Sequence, residues 1–353
     1  MKPSPVYFTD FHVTRETLPQ KLHRLMKRAG FETIDFADRY TAIKIHFGEL
    51  GNLAYLRPQY AKVVADYVRE LGGQVFLTDC NTLYVGSRKN ALDHMDTAYL
   101  NGFSPLQTGC HVIIADGLKG TDEALVPIDL PYVKEAKIGQ AIMDADIVIS
   151  LSHFKGHEEA GFGGALKNLG MGSGSRSGKM EQHWEGKPVV EPELCIGCGS
   201  CVRICAHDGP TVRDGKASID HSKCVGCGGC YAACQNKAIS ILTLRGLKAM
   251  LFGGRIFREK LVEYASAGHR GKRNVYLNFA LNVTRGCDCE PLPMRGVIPD
   301  IGIFASLDQV AVDSACLAEA ARRGRRFRGG EQLHYAEKIG MGKTAYDLVT
   351  LDV

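Results

Sequence analysis

Two runs of four cysteines restrict this chain more than any other feature. Residues 195–205 carry Cys195, Cys198, Cys201 and Cys205 in the spacing C-x2-C-x2-C-x3-C, and Cys224, Cys227, Cys230 and Cys234 repeat it. Each cysteine of the second run lies 29 positions after its counterpart, and the pairs Gly197/Gly226 and Gly199/Gly228 keep the same register. A tight loop with three thiolates and a fourth nearby suits a cubane iron–sulfur cluster, and glycines let backbone N–H groups approach its sulfides. A structural zinc ribbon uses paired C-x2-C hooks instead. Clusters with a purely structural role would need the same ligands. The chain holds 13 cysteines, and Met1-Lys2-Pro3-Ser4-Pro5 is not followed by an apolar core, so no signal peptide is expected. The cysteines therefore read as metal ligands in a reducing cytoplasm, not as a disulfide framework.

The rest of the chain has a different rhythm. Thr41–Phe47, Gln74–Thr78 and His111–Ile114 are strand candidates, and Arg57–Leu71 has helical periodicity through Tyr60, Val63, Val64, Tyr67 and Leu71. Lys134–Met143 is expected to be helical. Asp146–Leu151 is nearly all apolar, as in a strand buried on both faces of a parallel sheet. The pattern breaks at the Gly/Ser-rich stretch Gly170–Lys179, read as a loop that either links domains or holds an anion through Arg176 and Lys179. It resumes after the cysteine module with a helix over Leu247–Ala265 and a strand over Asn274–Thr284, whose Val275, Leu277 and Phe279 share one face. The expected fold class is α/β: an open, mostly parallel sheet in one or two lobes, with a small α+β module inserted. The expected divisions are 1–189, 190–242 and 243–353. No run of about 18 apolar residues exists, so no membrane span is expected. Net charge is +4, and the densest basic run, residues 322–328, reads as a solvated face rather than a nucleic-acid site.

The cysteine runs resemble those of bacterial two-cluster ferredoxins, in which the fourth cysteine of each run serves the other cluster. The resemblance implies two [4Fe–4S] clusters, one on Cys195, Cys198, Cys201 and Cys234 and the other on Cys224, Cys227, Cys230 and Cys205. The proline usual after the fourth cysteine is Ala206 in one run and Gln235 in the other.

Other candidates lie where strands end, which is where open α/β sheets bind ligands. His153 and His157 follow the Asp146–Leu151 strand, His46 closes Thr41–Phe47, and Cys80 follows Gln74–Thr78. Cys287-Asp288-Cys289 follows Asn274–Thr284; its two thiols could share a metal ion or simply occupy a loop. Cys110 and Cys316 read as core thiols.

The stretches Ser152–His157, Gly161–Gly172, Cys287–Cys289, Phe304–Ser306 and Val310–Asp313 are similar to an uncharacterised iron–sulfur family known as a domain of unknown function, which often carries a ferredoxin insert. That likeness implies fold and clusters but no reaction. The shorter segment His157-Glu158-Glu159-Ala160-Gly161-Phe162-Gly163-Gly164-Ala165-Leu166-Lys167 is similar to a stretch of the nickel-dependent lactate racemases. There the histidine is an acid/base and the lysine anchors a nickel-pincer nucleotide. Gly163 and Ala165 depart from that pattern. The likeness implies His157 as general acid/base and Lys167 as anchor for an anionic group; His153, from its place at the strand's carboxyl end, is a further catalytic candidate. Gly161, Gly163, Gly164 and His46 would line the ligand, with an additional metal or organic cofactor allowed.

Together these features favour a redox enzyme whose clusters pass electrons to a small anionic substrate or cofactor in an α/β crevice, with a redox partner protein possible. The alternatives are a racemase-like isomerase with structural clusters, and an electron-transfer or assembly protein without its own substrate.

Overall fold

Ile147-Val148-Ile149 puts β-branched side chains on both faces of one strand, and such a strand needs cover on both sides. In the structure, a computed structural model that describes residues 2–13, 15–84, 86–183, 187–241, 254–268 and 270–351, it lies inside an eight-stranded sheet. The strands are β1 Ser4–Thr9, β2 Tyr40–Lys44, β3 Gln74–Asp79, β4 Val112–Ile114, β5 Ile147–His153, β6 Arg273–Ala280, β7 Gly302–Ser306 and β8 Tyr346–Thr350. Their order is β8-β1-β7-β6-β5-β2-β3-β4. Strand β5 is parallel to β2 and to β6, with Ile149 opposite Ile43 and Val275. Only β7 runs against its neighbours, antiparallel to β1 and β6. The other seven strands end at the same edge of the sheet.

Each face of the sheet carries its own core. Ile149, Leu151, Leu277 and Phe279 pack with Leu22, Leu25 and Val64 from helices Leu18–Arg28 and Pro58–Glu70. Val148 and Tyr276 pack on the other side with Leu166, Leu261 and Val312, from helices Ala165–Ser173, Arg255–Ala267 and Gln309–Arg322. Asn274–Thr284 thus alternates as its pattern predicts, though the strand stops at Ala280. Chain segments before and after the cysteine module alternate within this one sheet. The 242/243 division lies outside the described residues, as does the start of the helix expected over Leu247–Ala265.

Two local expectations are corrected. Lys134–Met143 is not one helix: Glu135–Gly139 is a strand paired antiparallel with Glu123–Pro127, and only Gln140–Asp144 is helical. Ala136 and Ile138 point inward while Lys137 is less buried, a two-residue alternation that outweighs helical propensity. Gly170–Lys179 is not a linker, because all of it but Gly174 and Ser175 lies in helices Ala165–Ser173 and Arg176–His183. Its glycines are places of close approach: a Cβ at Gly170 would run into the Leu261 carbonyl, and one at Gly178 into that of Lys137.

The cysteine module has a small core of its own, built from Cys195, Cys201, Cys230, Ala217, Ala238 and Ile239. Strand Val189–Val190 pairs antiparallel with Ile239–Ser240 and closes it, and Pro210–Arg213 pairs with Lys216–Ile219. The short helices Ser200–Ile204 and Gly229–Ala233 occupy equivalent places in the two halves. Gly197, Gly199, Gly226 and Gly228 have φ of +67°, +73°, +76° and +65°, a left-handed region that a side chain would strain.

Candidate functional site

From β2 the chain steps to β3 and β4 on one side, and β5 and β6 are then added on the other side of β2. Neighbouring loops at such a reversal leave in opposite directions and open a crevice at the strands' carboxyl ends. A cavity of about 320 Å³ lies there. Its wall includes His46 after β2, Asp79 and Cys80 at the end of β3, His153 at the end of β5, and Cys287 and Cys289 beyond β6. The structure thus brings together His46, Cys80, His153, His157, Lys167, Cys287 and Cys289, which the sequence scatters over more than 240 positions.

Five basic side chains also line the crevice: Lys44, Arg88, Lys155, Lys167 and Lys179. Three of them are matched by buried carboxylates. Asp79 takes Lys44 at 3.0 Å and Arg88 at 3.2 Å, and Asp288 takes Lys155 at 2.8 Å. Burial alone would raise both carboxyls, yet Lys44 beside Asp79, and His153 with Lys155 beside Asp288, hold them well below the usual carboxylate range. Among the described residues, Lys167 and Lys179 reach no carboxylate; Lys179 donates to the Gly174 carbonyl, and Lys167 Nζ stands 3.7 Å from Cys287 Sγ. This arrangement favours an anionic ligand.

The histidines differ in what they can do. His153 Nδ1 lies 3.0 Å from Asp288 and its Nε2 2.8 Å from the Leu281 carbonyl, so both nitrogens are engaged by the protein. It orients Asp288 and leaves no nitrogen for a substrate. His46 Nε2 lies 3.0 Å from Arg88 Nη2, and burial and that guanidinium push its pKa well down. His157 is half-buried, and burial and Lys167 lower its pKa, which leaves it neutral at pH 7. Its Nδ1 accepts the N–H groups of Glu159 (3.2 Å) and Ala160 (3.0 Å), so the ring proton sits on Nε2. The other ring nitrogen is turned toward Cys287, a neighbour that partly counters the lowering.

The ligand atoms of His157, Cys287 and Cys289 lie within 4.8 Å of one another, a possible metal site. Glu290 Oε1 accepts the Cys287 N–H at 2.9 Å, and the Glu290 N–H returns to the Cys287 carbonyl at 3.0 Å, which fixes the turn. A hydrogen bond from Cys289, with Lys167 and His157 beside it, holds the Cys287 thiol well below its ordinary pKa and drives that of Cys289 up.

The glycines serve the backbone first. Gly161 (φ +87°) abuts the backbone of Arg328 and lies outside the crevice wall, whereas Gly163 and Gly164 line it. Gly164 precedes helix Ala165–Ser173, whose first N–H groups, Ala165 and Leu166, donate to Asp313 at 2.7 and 3.0 Å. That helix N-terminus is filled by a protein carboxylate, and its next turn presents Lys167 and Asn168. Asn168 accepts from Lys44 Nζ (2.9 Å) and donates to Ser150, locking helix to sheet. Lys44, Asp79, Arg88, Lys155 and Asn168 were not singled out in the sequence as site residues. A buried charge inside a strand pattern, such as Lys44 in Thr41–Phe47, is the signal that could have found some of them.

The cysteine module meets this crevice. One small cavity in the module is lined by Cys195, Cys198, Cys201 and Cys234, and another by Cys205, Cys224, Cys227 and Cys230. Gly228, on the wall of the second cavity, packs so closely that a Cβ there would lie 2.7 Å from Leu83 and 2.8 Å from Met180. Leu83 lines the crevice. Buried Arg176 ties the two parts together, donating to the Cys227 carbonyl at 3.0 Å and to that of Lys89.

An α/β sheet with a cation-rich crevice at its switch point, joined to a cysteine module, is the class of protein defined by this geometry. Residues 41–318 match the family described as Domain of unknown function (DUF362), and the chain belongs to that family. A thylakoid-associated protein of Synechocystis is 28% identical over 175 residues, 45% of this chain and 49% of that protein. The chain thus matches about half the length of this curated relative. Among solved structures, the lactate racemase apoprotein from Thermoanaerobacterium thermosaccharolyticum aligns at 13% identity with a TM-score of 0.35, over 78% of this chain and 50% of that one. A crystal structure of a Thermotoga maritima protein aligns at 14% identity with a TM-score of 0.37, over 88% and 59%. Among the described residues no helix is long and apolar enough to cross a membrane.

Proposed function

We propose that this chain is an iron–sulfur redox enzyme that holds two [4Fe–4S] clusters in its cysteine module and a small anionic substrate or cofactor in the crevice. The observation that carries this reading is the contact of one four-cysteine cavity, through Gly228, with Leu83 of the crevice wall. The two cavities are lined by the quartets that the ferredoxin likeness implies, each run lending its fourth cysteine to the other. Sulfurs around one tetrahedral zinc stand about 3.8 Å apart, given Zn–S bonds of about 2.3 Å. Among the described residues, only His157, Cys287 and Cys289 bring three such ligand atoms within 4.8 Å. The quartets are wider, which suits a cluster of several atoms better than one ion. Backbone N–H groups of Ala217 and Ala238 reach the sulfurs of Cys195 (3.3 Å) and Cys234 (3.2 Å), contacts of the kind that tune a cluster's potential. When bound, such clusters exchange single electrons. Around them the chain's own groups have separate tasks. Lys167 and Lys179 hold the anion, and neutral His157 offers its Nε2–H as a hydrogen-bond donor.

The test is anaerobic purification followed by iron analysis and reduction with dithionite. About eight irons per chain are expected, with bleaching reversed when one of a panel of organic acids or thioesters is added. Little or no iron, or reduced clusters that no compound in the panel reoxidises, counts against the reading. Turnover with an unchanged cluster spectrum, abolished by His157→Ala, would establish the racemase-like alternative instead.

A further inference from the structure

We infer that Cys287 and Cys289 form a redox-active dithiol/disulfide pair, the two-electron acceptor within the crevice; this rests on the redox reading above. Both side chains border the cavity, and their sulfurs, with a ring nitrogen of His157, fall within 4.8 Å of one another. The Cys287–Glu290 turn, fastened at both ends by hydrogen bonds, keeps the two thiols on one side.

The surroundings of Cys287 suit a thiolate that attacks and is attacked. Lys167 Nζ stands 3.7 Å from its sulfur, and the ammonium finds no carboxylate among the described residues. The imidazole of His157 is a neutral hydrogen-bond donor to the pair. Its Nδ1 is taken by two backbone N–H donors, so Nε2 carries hydrogen toward the sulfur. The same fact weighs against a metal ion here. A metal-binding histidine donates its second ring N–H to an acceptor, whereas the second nitrogen of His157 meets two donors.

The chemistry balances without a further reagent class. The Cys287–Cys289 S–S bond breaks on taking up two electrons from one-electron donors of iron–sulfur type. Cys289 takes one proton from solvent and becomes a thiol, and Cys287 is left as a thiolate beside the Lys167 ammonium, with the His157 ring N–H as a neutral hydrogen-bond donor. In the reverse direction the dithiol reduces a bound substrate by two electrons. A disulfide across a single intervening residue is constrained, which places it among the reducible, catalytic disulfides rather than the structural ones.

The experiment uses the anaerobic, cluster-loaded protein, oxidised with 4,4′-dipyridyl disulfide, freed of reagent and titrated with dithionite while cluster absorbance is followed. Wild type is expected to consume two electrons more per chain than the Cys287→Ser/Cys289→Ser double variant before both clusters are bleached. Cys110→Ser, altered in the distant core, should match wild type. In parallel, acid-quenched alkylation and mass spectrometry should find the peptide carrying Cys287 and Cys289 lighter by two hydrogens and unalkylated after oxidation, and doubly alkylated after titration. Equal electron counts in wild type and the Cys287→Ser/Cys289→Ser double variant would overturn the inference. So would an equivalent of metal that both thiols retain through oxidation. If the clusters of neither protein take up electrons, it is the redox reading that fails; if they reduce normally without the extra pair, only the dithiol fails.

Discussion

Asp313 offers the sharpest test of how the crevice is built. It is fully buried, and burial raises its pKa to about 6 although it accepts from Ala165, Leu166 and, at 2.6 Å, Asn278. Its folded pKa therefore exceeds the unfolded value of about 3.9. A group raised in this way contributes stability that is complete below the unfolded pKa and is lost as pH rises through the folded one. With these values the wild type loses roughly 1.4 kcal/mol from this group between pH 5.0 and 7.5. Asp313→Asn cannot titrate. It keeps one acceptor oxygen for Ala165 and Asn278 but turns an NH2 group toward the Leu166 N–H, at a cost of about 1–3 kcal/mol. The variant should thus be clearly less stable than wild type at pH 5.0 and should recover most of the gap by pH 7.5. Urea unfolding of the anaerobic proteins at both pH values measures this. A gap that stays constant, or widens with pH, refutes the assignment of a raised buried carboxyl at the start of the helix carrying Lys167.

Three further outcomes are expected. Asp288→Asn strands Lys155 and His153 in the protein and should cost about 3–5 kcal/mol at pH 7; because the Asp288 carboxyl is depressed in the fold, the gap to wild type should close in thermal unfolding as pH falls below about 4. Gly170→Ala should destabilise by about 1–3 kcal/mol despite better helix propensity, since the Leu261 carbonyl fills the space, and a melting temperature equal to wild type would contradict that packing. Cys205→Ser and Cys227→Ser should remove the same component of the reduced protein's electron paramagnetic resonance spectrum, and Cys198→Ser the other; grouping of Cys205 with Cys198 would refute crossed ligation.

The sequence by itself determined the local periodicities and the spacings. The two cysteine runs, the buried β5 and the alternation of β6 are properties of neighbouring residues, so they could be read without the fold. The positions of His46, Cys80, His157 and Cys287 at strand ends also marked the crevice, because the carboxyl ends of parallel strands share one edge. Glycines were the weak point: Gly170 and Gly178 look like a linker in one dimension, and only the helices packed on them show them as contacts. What tertiary structure alone decided is pairing. Asp79 meets Lys44 and Arg88, Asp313 caps a helix almost 150 positions earlier, and Lys167 finds Cys287 rather than a carboxylate. Those matches depend on which strands become neighbours in the sheet, and the energy of a buried charge depends on what stands within a few ångströms of it, wherever that lies in the chain.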